Sequence, residues 1–442
     1  MKIRLSAVLL VLALVLSACG NTVETPVSIN DNIEEIAVNL VTDLSGGNFK
    51  KAFEEYRYTE EVQNTISTSF YKNLWNSITL ENGNFKEIAG FSVSESQGFD
   101  VIAVETAFDK AKLNLNIVFD ADKIIAGIQL RPYIEPKEIP ENITETPLTF
   151  GDANWKLNGI LTTPKDSSQR SPILILVHGS GPNDMDETVG SNKPFRDIAW
   201  GLAQKGIRTI RYNKRTYTYG EKMAIDTNIT VNEETIEDVV HAVQYLELSS
   251  SIVPGNIYIL GHSLGGMLIP RIAPKVMGVS GYIMMSAPVT PLEDLMVEQI
   301  KYISEVDGFT EQENQVIKAY EDMRNNVKKV SSTSKLTADK LFGIPAAYWL
   351  DLKGYDLRKM AKEIQLPLLV LQGERDYQVT MKEFDFWMDA LQEKENVTLK
   401  SYEGLNHLMM YGTEKSSPSE YNTTGEVDTR VIEDISSWIL SR

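Results

Sequence analysis

One short stretch of the chain carries a serine in a setting suited to nucleophilic chemistry. Residues 261–266 read Gly-His-Ser-Leu-Gly-Gly and follow an apolar run, Ile257 to Leu260, that is typical of a buried strand. A serine on such a sharp turn has a strained backbone, and glycine is needed where side chains would collide with neighbouring elements. The stretch therefore predicts a nucleophile elbow, in which a strand, a turn and a helix expose the hydroxyl of Ser263.

Only one of the four histidines is placed to act as a base for this serine. A serine hydroxyl is inert at neutral pH unless a base accepts its proton and a third group orients that base. After an elbow serine, the acid and then the histidine follow along the chain. His178, His241 and His262 all precede Ser263, so the candidate base is His407, in a loop after a predicted strand at 397–402.

The acid that orients the base is expected in a loop after an intervening strand. Residues 366–371 form an apolar run, and the loop that follows carries Gly373, Asp376 and Val379 in a G-x-x-D-x-x-V spacing. Asp376 is therefore the candidate acid, and Glu374 is the reserve. The expected role of Asp376 is to hold the imidazole in the tautomer that accepts the serine proton and to stabilise the imidazolium.

Acyl transfer also needs hydrogen-bond donors that are already in place for the tetrahedral oxyanion. The backbone N–H of Leu264, directly after the serine, is one candidate donor. The backbone N–H of Ser180 is the second, because residues 178–182, His-Gly-Ser-Gly-Pro, directly follow the predicted strand 173–177. His178 is expected to form hydrogen bonds within this loop rather than to act as a second base.

Taken together, these segments resemble the α/β-hydrolase superfamily. The likeness extends over roughly residues 148–442 and rests on segments 178–182, 261–266, 373–376 and 405–407. Residues 184–197 are also similar to bacterial serine esterases of the secreted or lipoprotein type. The resemblance implies a serine hydrolase that cleaves carboxylic esters of short to medium acyl chains through an acyl-enzyme. Such chemistry requires no metal and no cofactor.

The pattern of the second half of the chain is typical of an α/β fold. Continuous apolar runs alternate with helical stretches, which predicts a mostly parallel sheet flanked by helices, with its site at the carboxyl ends of the strands. Residues 288–362 are more than one crossover helix requires, and their helical period predicts a cap that excludes water and shapes the acyl pocket. A solvated helical hairpin remote from the site is the alternative.

The chain before residue 148 has a different organisation. Residues 29–131 show helical spacing and then a period of two, which predicts a small α+β domain with its own core. This domain resembles the cystatin-like and nuclear-transport-factor-like modules that precede the hydrolase in many bacterial secreted esterases. Residues 132–147 contain four prolines and several glutamates, and are predicted to be an extended linker.

The N-terminus resembles a bacterial lipoprotein signal. Lys2 and Arg4 precede an apolar core at 5–16 that is too short to span a bilayer, and a small-residue cleavage site ends at Cys19, the only cysteine. Residues 1–19 are therefore predicted to be a signal peptide with a lipidated Cys19, and 20–28 a polar tether. We expect a protein anchored to the membrane outside the cytoplasm, or periplasmic in a cell with two membranes. A plain secretory signal is the alternative.

The net charge of −18 argues against a nucleic-acid partner, because a phosphate-binding surface needs clustered Lys and Arg. A small-molecule ester is the expected substrate, and the sequence does not predict the oligomeric state. A serine peptidase or amidase is the first alternative, in which Glu293, Asp294 or Glu298 would bind a substrate ammonium. A non-catalytic binding lipoprotein is the second, because fold alone does not imply catalysis. The set of nucleophile, acid, base and oxyanion loop favours an enzyme.

Overall fold

A computed structural model describes residues 32–96, 98–135, 137–168, 171–249, 256–308 and 310–442. The predicted signal peptide, Cys19 and the start of the mature chain lie outside these residues. Within the described ranges, the helices are too short or too polar for any of them to cross a membrane.

The N-terminal domain packs helices against an antiparallel sheet of order β1-β2-β3-β4. Its helices are α1 (Ile33–Ser45), α2 (Phe49–Glu54), α3 (Glu60–Thr65) and α4 (Thr68–Asn82), and its strands are β1 (Phe85–Ser96), β2 (Phe99–Phe108), β3 (Lys112–Phe119) and β4 (Ile125–Pro132). Leu115, Ile117 and Phe119 of β3 are buried in the core beneath the helices. The period of two in the sequence reflects a sheet that is covered on this face.

The second domain is built on a mixed sheet of order β12-β11-β10-β9-β7-β8-β6-β5. Its strands are β5 (Ile143–Phe150), β6 (Leu157–Pro164), β7 (Ile173–Val177), β8 (Arg208–Tyr212), β9 (Ile257–His262), β10 (Val279–Met285), β11 (Leu368–Gly373) and β12 (Val397–Tyr402). β5 pairs antiparallel with β6, and β6 with β8. Strands β7 to β12 run parallel to one another. The predicted α/β-hydrolase fold, preceded by a small α+β domain, is confirmed.

Helices cover both faces of this sheet. The helices of this domain are α5 (Pro194–Ala203), α6 (Arg215–Thr218), α7 (Gly220–Ala224), α8 (Glu237–Glu247), α9 (Leu264–Ile272), α10 (Leu292–Asp307), α11 (Glu311–Lys329), α12 (Ala346–Lys353), α13 (Leu357–Glu363), α14 (Met381–Leu391) and α15 (Thr429–Leu440). In β7, Ile175 belongs to the hydrophobic core on one face of the sheet and Leu176 to the core on the other. Both faces are apolar, which is why the strands read as continuous hydrophobic runs.

The linker is shorter than predicted. β5 begins at Ile143, inside the range 132–147, and includes Pro147. A proline donates no backbone hydrogen bond, but an edge strand tolerates it because one side of the strand pairs with nothing. β5 is such an edge strand. Pro147 therefore marks the rim of the sheet rather than a break between domains.

The insertion predicted as a cap contains α10 to α13. Its first helix lies against the loop that follows β11. The side-chain amide of Gln299 donates to the backbone carbonyl of Gln378 over 3.0 Å, and the Tyr302 ring stacks on Tyr377 with centroids 5.0 Å apart. This helix is therefore not a remote hairpin, because it contacts the residues directly after Asp376.

Helix α9 begins unusually close to strands β7 and β9. A Cβ on Gly265 would lie 2.4 Å from the carbonyl oxygen of Val177 and 2.6 Å from that of His178. A Cβ on Gly261 would lie 2.2 Å from the carbonyl oxygen of Gly265. Side-chain atoms do not approach backbone this closely, so these positions admit only glycine.

We expect Gly265→Ala to lower the free energy of unfolding by about 3 kcal/mol or more, because the new methyl group would force the helix away from β7. Urea unfolding followed by circular dichroism would measure the loss. Gly90→Ala is the matched control, since a Cβ there would be 3.6 Å from its nearest neighbour, an ordinary contact. Equal free energies of unfolding for the two variants would show that position 265 has space for a methyl group.

Candidate active site

Ser263 occupies the turn between β9 and α9 with a strained backbone. Its φ of 53° and ψ of −119° lie in a region that favours glycine, and its N–H donates to the Met285 carbonyl over 2.9 Å. A conformation of this kind costs about 1–3 kcal/mol and persists only where the surroundings impose it. On either side of Ser263, Gly261 and Gly265 leave no space for a Cβ, so the strand and the helix that flank the turn are closely packed. This is the geometry of a nucleophile elbow.

The loops after β7, β9, β11 and β12 meet at the same edge of the sheet. They do so because the carboxyl ends of parallel strands all lie there. A Cβ on Gly179, after β7, would lie 3.1 Å from the Ser263 Cβ. The rings of His262, before the serine, and His407, after β12, have centroids 4.7 Å apart. The predicted site residues are thus gathered from distant parts of the chain.

Asp376 and His407 form a buried hydrogen-bonded pair. The Nδ1 atom of His407 is 2.7 Å from Oδ2 of Asp376. The other oxygen of Asp376 accepts the backbone N–H groups of Gln378 and Val379 over 2.8 and 2.9 Å. A carboxylate held in this way accepts a hydrogen bond from a protonated Nδ1, which leaves Nε2 of His407 free to accept a proton.

The predicted contact between the serine and the histidine of the triad is not formed in this structure. Among the described residues, no hydrogen bond joins the Ser263 hydroxyl to the His407 ring. Hydrogen bonds between a nucleophile and its base are often long in free enzymes and shorten when substrate binds. The reserve acid, Glu374, accepts the hydroxyl of Ser401 over 2.7 Å at the surface. The structure pairs His407 with Asp376 instead.

The predicted oxyanion donors, Ser180 and Leu264, both have available backbone N–H groups. In the part of the chain that the structure describes, neither N–H donates to a protein acceptor. Leu264 is the first residue of α9, where helix geometry supplies no internal partner. The Gly179 carbonyl points to Lys214 Nζ, 2.7 Å away. The N–H of Ser180 belongs to the same peptide group as this carbonyl. It points in the opposite direction, because the C=O and N–H bonds of a trans peptide are antiparallel.

His178 has the structural role expected from the sequence. Its Nε2 lies 3.0 Å from the backbone carbonyl of Asp184, within the loop after β7. Burial lowers the pKa of His178 to about 4. The ring is therefore neutral near pH 7, and its Nε2 donates to the carbonyl.

A buried ion pair that the sequence analysis missed connects three of the site loops. Glu187 accepts the N–H of Gly179 over 2.7 Å and faces Nδ1 of His262 over 2.8 Å. Nε2 of His262 lies 2.9 Å from the backbone carbonyl of His407. A carbonyl only accepts, so Nε2 carries a proton, and an ionised Glu187 requires a second proton on Nδ1. His262 is then an imidazolium.

The pKa shifts agree with this ionic form. Burial alone would lower the pKa of His262, but the neighbouring Glu187 carboxylate raises it above its usual 6.5. Burial alone would raise the pKa of Glu187, but His262 holds it below its usual 4.5. Asp376 also acts on the pair, since its charge raises the pKa of His262. No spacing rule in the sequence connects Glu187 with His262, because their contact is a tertiary one.

Two of the three acidic residues considered for binding a substrate ammonium are paired with lysines. Asp294 lies 2.7 Å from Lys328, and Glu298 lies 2.7 Å from Lys382. Glu293 is buried, and burial raises its pKa. Within the described ranges, His, Cys, Asp and Glu form no group of three or more that could hold a metal ion.

The sheet order, the strained serine and the loops around it define an enzyme of the α/β-hydrolase class. Residues 198–424 match the model of the prolyl oligopeptidase family, and residues 37–128 match a domain described as a protein of unknown function, DUF3887. The chain belongs to the prolyl oligopeptidase family.

The chain is also similar to individual named proteins. The chain is 35% identical over 411 residues to esterase EstD of Thermotoga maritima, an alignment that covers 92% of this chain and 95% of the relative. Est1E from Butyrivibrio proteoclasticus has 14% identity, a TM-score of 0.43, and coverage of 67% of this chain and 99% of its own. The esterase Pf2001 of Pyrococcus furiosus has 18% identity, a TM-score of 0.43, and coverage of 70% and 97%.

We expect Glu187→Gln to destabilise the protein in a pH-dependent way. The raised pKa of His262 stabilises the fold below pH 6.5, and this contribution is lost as the pH rises through the folded value. The lowered pKa of Glu187 stabilises it above pH 4.5, and this contribution is lost as the pH falls through the folded value. The difference from wild type should therefore be largest between these pH values, at about 3–5 kcal/mol.

Urea unfolding at pH values from 4 to 9 would measure this difference. Glu298→Gln is the control, because its exposed pair with Lys382 should contribute less than about 1 kcal/mol. A difference for Glu187→Gln that is small, or constant across the pH range, would show that His262 and Glu187 do not form an ion pair.

Proposed function

We propose that this chain is a serine hydrolase that cleaves carboxylic esters of short to medium acyl chains through an acyl-enzyme. The observation that carries the proposal is the buried hydrogen bond between Asp376 and His407, at the edge of the sheet where Ser263 stands in its strained turn. The named esterase relative, which aligns with most of the chain, supports the ester as the substrate.

Each residue has a defined task in this mechanism. Ser263 Oγ attacks the ester carbonyl carbon while Nε2 of His407 accepts its proton. The N–H groups of Ser180 and Leu264 stabilise the negative oxygen of the tetrahedral intermediate. His407 then donates the proton to the departing alcohol. His407 then deprotonates a water molecule, which attacks the carbonyl carbon of the acyl-enzyme. The carboxylic acid leaves as the bond to Ser263 Oγ breaks and His407 returns the proton to Oγ.

A peptidase or amidase acting on small peptides is the second candidate, favoured by the family to which residues 198–424 belong. The pairing of Asp294 and Glu298 with lysines argues against it, because a substrate ammonium would have to displace these lysines. Steady-state rates on p-nitrophenyl esters of two to twelve acyl carbons, compared with aminoacyl p-nitroanilides, would separate the two. Higher kcat/KM on the anilides would reject the esterase proposal.

A non-catalytic binding protein would be revealed by active-site labelling. Wild type should react with a fluorophosphonate probe, and Ser263→Ala should not. A wild type that is neither labelled nor active on any ester would reject the serine hydrolase and favour a receptor.

We expect Asp376→Asn to reduce kcat on p-nitrophenyl butyrate by about 10⁴-fold with little change in KM, because the amide would hold His407 in the wrong tautomer. Glu374→Gln, at the neighbouring surface position bonded to Ser401, is the control and should retain full activity. Loss of activity in Glu374→Gln with retention in Asp376→Asn would reverse the assignment of the acid.

We also propose that the protein is a lipoprotein held outside the cytoplasmic membrane through Cys19. The support is the sequence pattern of residues 1–19, and the proposed lipid chains would supply more than one anchor, as stable attachment requires. We expect the wild type in the membrane fraction, where it would incorporate an alkyne-labelled fatty acid. Cys19→Ser should abolish the label. A soluble, unlabelled wild type cleaved near this site would favour the plain secretory signal.

A further inference from the structure

The peptide group between Gly179 and Ser180 is held by a buried charge. Lys214, immediately beyond β8, has only 2% of its side chain exposed. Its ammonium donates to the Gly179 carbonyl oxygen over 2.7 Å. The Asn183 amide also donates to this carbonyl, over 3.3 Å. The same peptide group contains the Ser180 N–H, which the proposed mechanism uses as an oxyanion donor.

A cation on a peptide carbonyl affects the N–H at the other end of that peptide. The group is planar and trans, so fixing the direction of the carbonyl also fixes the direction of the N–H. Hydrogen bonds in a chain polarise one another, and a carbonyl that accepts from a charged donor makes its own N–H a stronger donor. Burial of Lys214 increases the effect, because the surroundings screen the charge less than water does.

The ammonium is itself held by a residue that contacts the cap. Lys214 Nζ lies 2.5 Å from one oxygen of Glu234, and the hydroxyl of Tyr348 donates to the other oxygen over 2.5 Å. Glu234 belongs to a π-helical turn, Asn232–Ile236, a feature frequent at functional sites. Tyr348 lies on α12, within the insertion predicted as a cap. A continuous buried path therefore runs from the cap to the oxyanion loop.

A purely structural requirement would not explain this arrangement. Burying an ammonium and a carboxylate costs desolvation energy that their attraction only partly offsets, so apolar residues often serve equally well. Here the ammonium is directed at one particular carbonyl beside Ser263. Glu187 binds the N–H of Gly179, so the same loop is held by an anion on one peptide group and by a cation on the next.

We infer that Lys214 is a positioning residue of the oxyanion hole, which orients and polarises the Gly179–Ser180 peptide, and that Glu234 and Tyr348 connect it to the cap. The inference rests on the proposed serine hydrolase function. It assigns to a lysine outside the triad a role in stabilising the transition state rather than in binding the substrate.

Lys214→Met, which keeps the length of the side chain and removes the charge, tests this directly. With p-nitrophenyl butyrate we expect kcat to fall by about 10- to 100-fold while KM changes less than about 3-fold, because an oxyanion donor acts mainly in the transition state. Affinity for an alkyl trifluoromethyl ketone, which forms a tetrahedral anionic adduct with the serine, should fall by the same factor as kcat/KM.

Lys193→Met is the matched control. Lys193 is a neighbouring lysine that pairs with Asp186 over 2.9 Å, so its loss should leave kcat within about 2-fold of wild type. Lys214→Gln keeps a neutral donor and should give an intermediate kcat. Wild-type kcat and ketone affinity in a folded Lys214→Met enzyme would overturn the inference. Inactivity of wild type itself would instead reject the proposed function.

Tyr348→Phe extends the test to the cap and replaces a single hydroxyl if Lys214→Met does not fold. We expect kcat to fall by about 3-fold, with KM unchanged, because Glu234 would then bind Lys214 more strongly and draw it from Gly179. Thermal unfolding would verify that the variant is folded. A folded Tyr348→Phe enzyme with kcat and ketone affinity equal to wild type would overturn the connection to the cap.

Discussion

A single buried carboxylate holds the oxyanion loop, the elbow and the histidine loop in register. Glu187 accepts from Gly179 on one side and from His262 on the other, and His262 reaches the backbone of His407. Each of these loops follows a different strand, so no local turn could fix their spacing. An ion pair this deeply buried contributes little net stability, but removing one partner leaves an uncompensated charge. The geometry of the site therefore depends on a contact that involves no triad side chain.

The parallel sheet explains how so many loops reach one place. Strands β7, β9, β11 and β12 end at a common edge, and the apolar residues of β7, β9 and β11 are buried on both faces. That framework is rigid enough to impose a strained backbone on Ser263, with its cost offset by packing elsewhere. Two charged residues in the segments that follow β7 and β8, Glu187 and Lys214, then orient the peptide groups around the serine. The strands thus determine where the site loops lie, and the buried charges determine how the peptide groups in those loops are oriented.

The sequence predicted what depends on local pattern and on order along the chain. Apolar runs marked the strands, and the Gly-His-Ser-Leu-Gly-Gly stretch marked a turn whose glycines prove to lack space for a Cβ. The choice of Asp376 and His407 as acid and base followed from their order along the chain, and in the structure their side chains are within hydrogen-bond distance. Glu187 lies 75 residues from His262, and Lys214 lies 35 from Gly179, so no motif connects either pair. Tertiary contacts of this kind leave no periodic trace.

The proline in β5 bears on how the molecule behaves beside other copies of itself. An outer strand exposes a row of unpaired backbone groups that can recruit a strand from a second molecule, which is a common start of aggregation. Pro147 leaves that row incomplete, since it contributes a carbonyl but no N–H. Together with a charge of −18, which makes copies repel each other, it disfavours sheet-to-sheet growth where many molecules are crowded together.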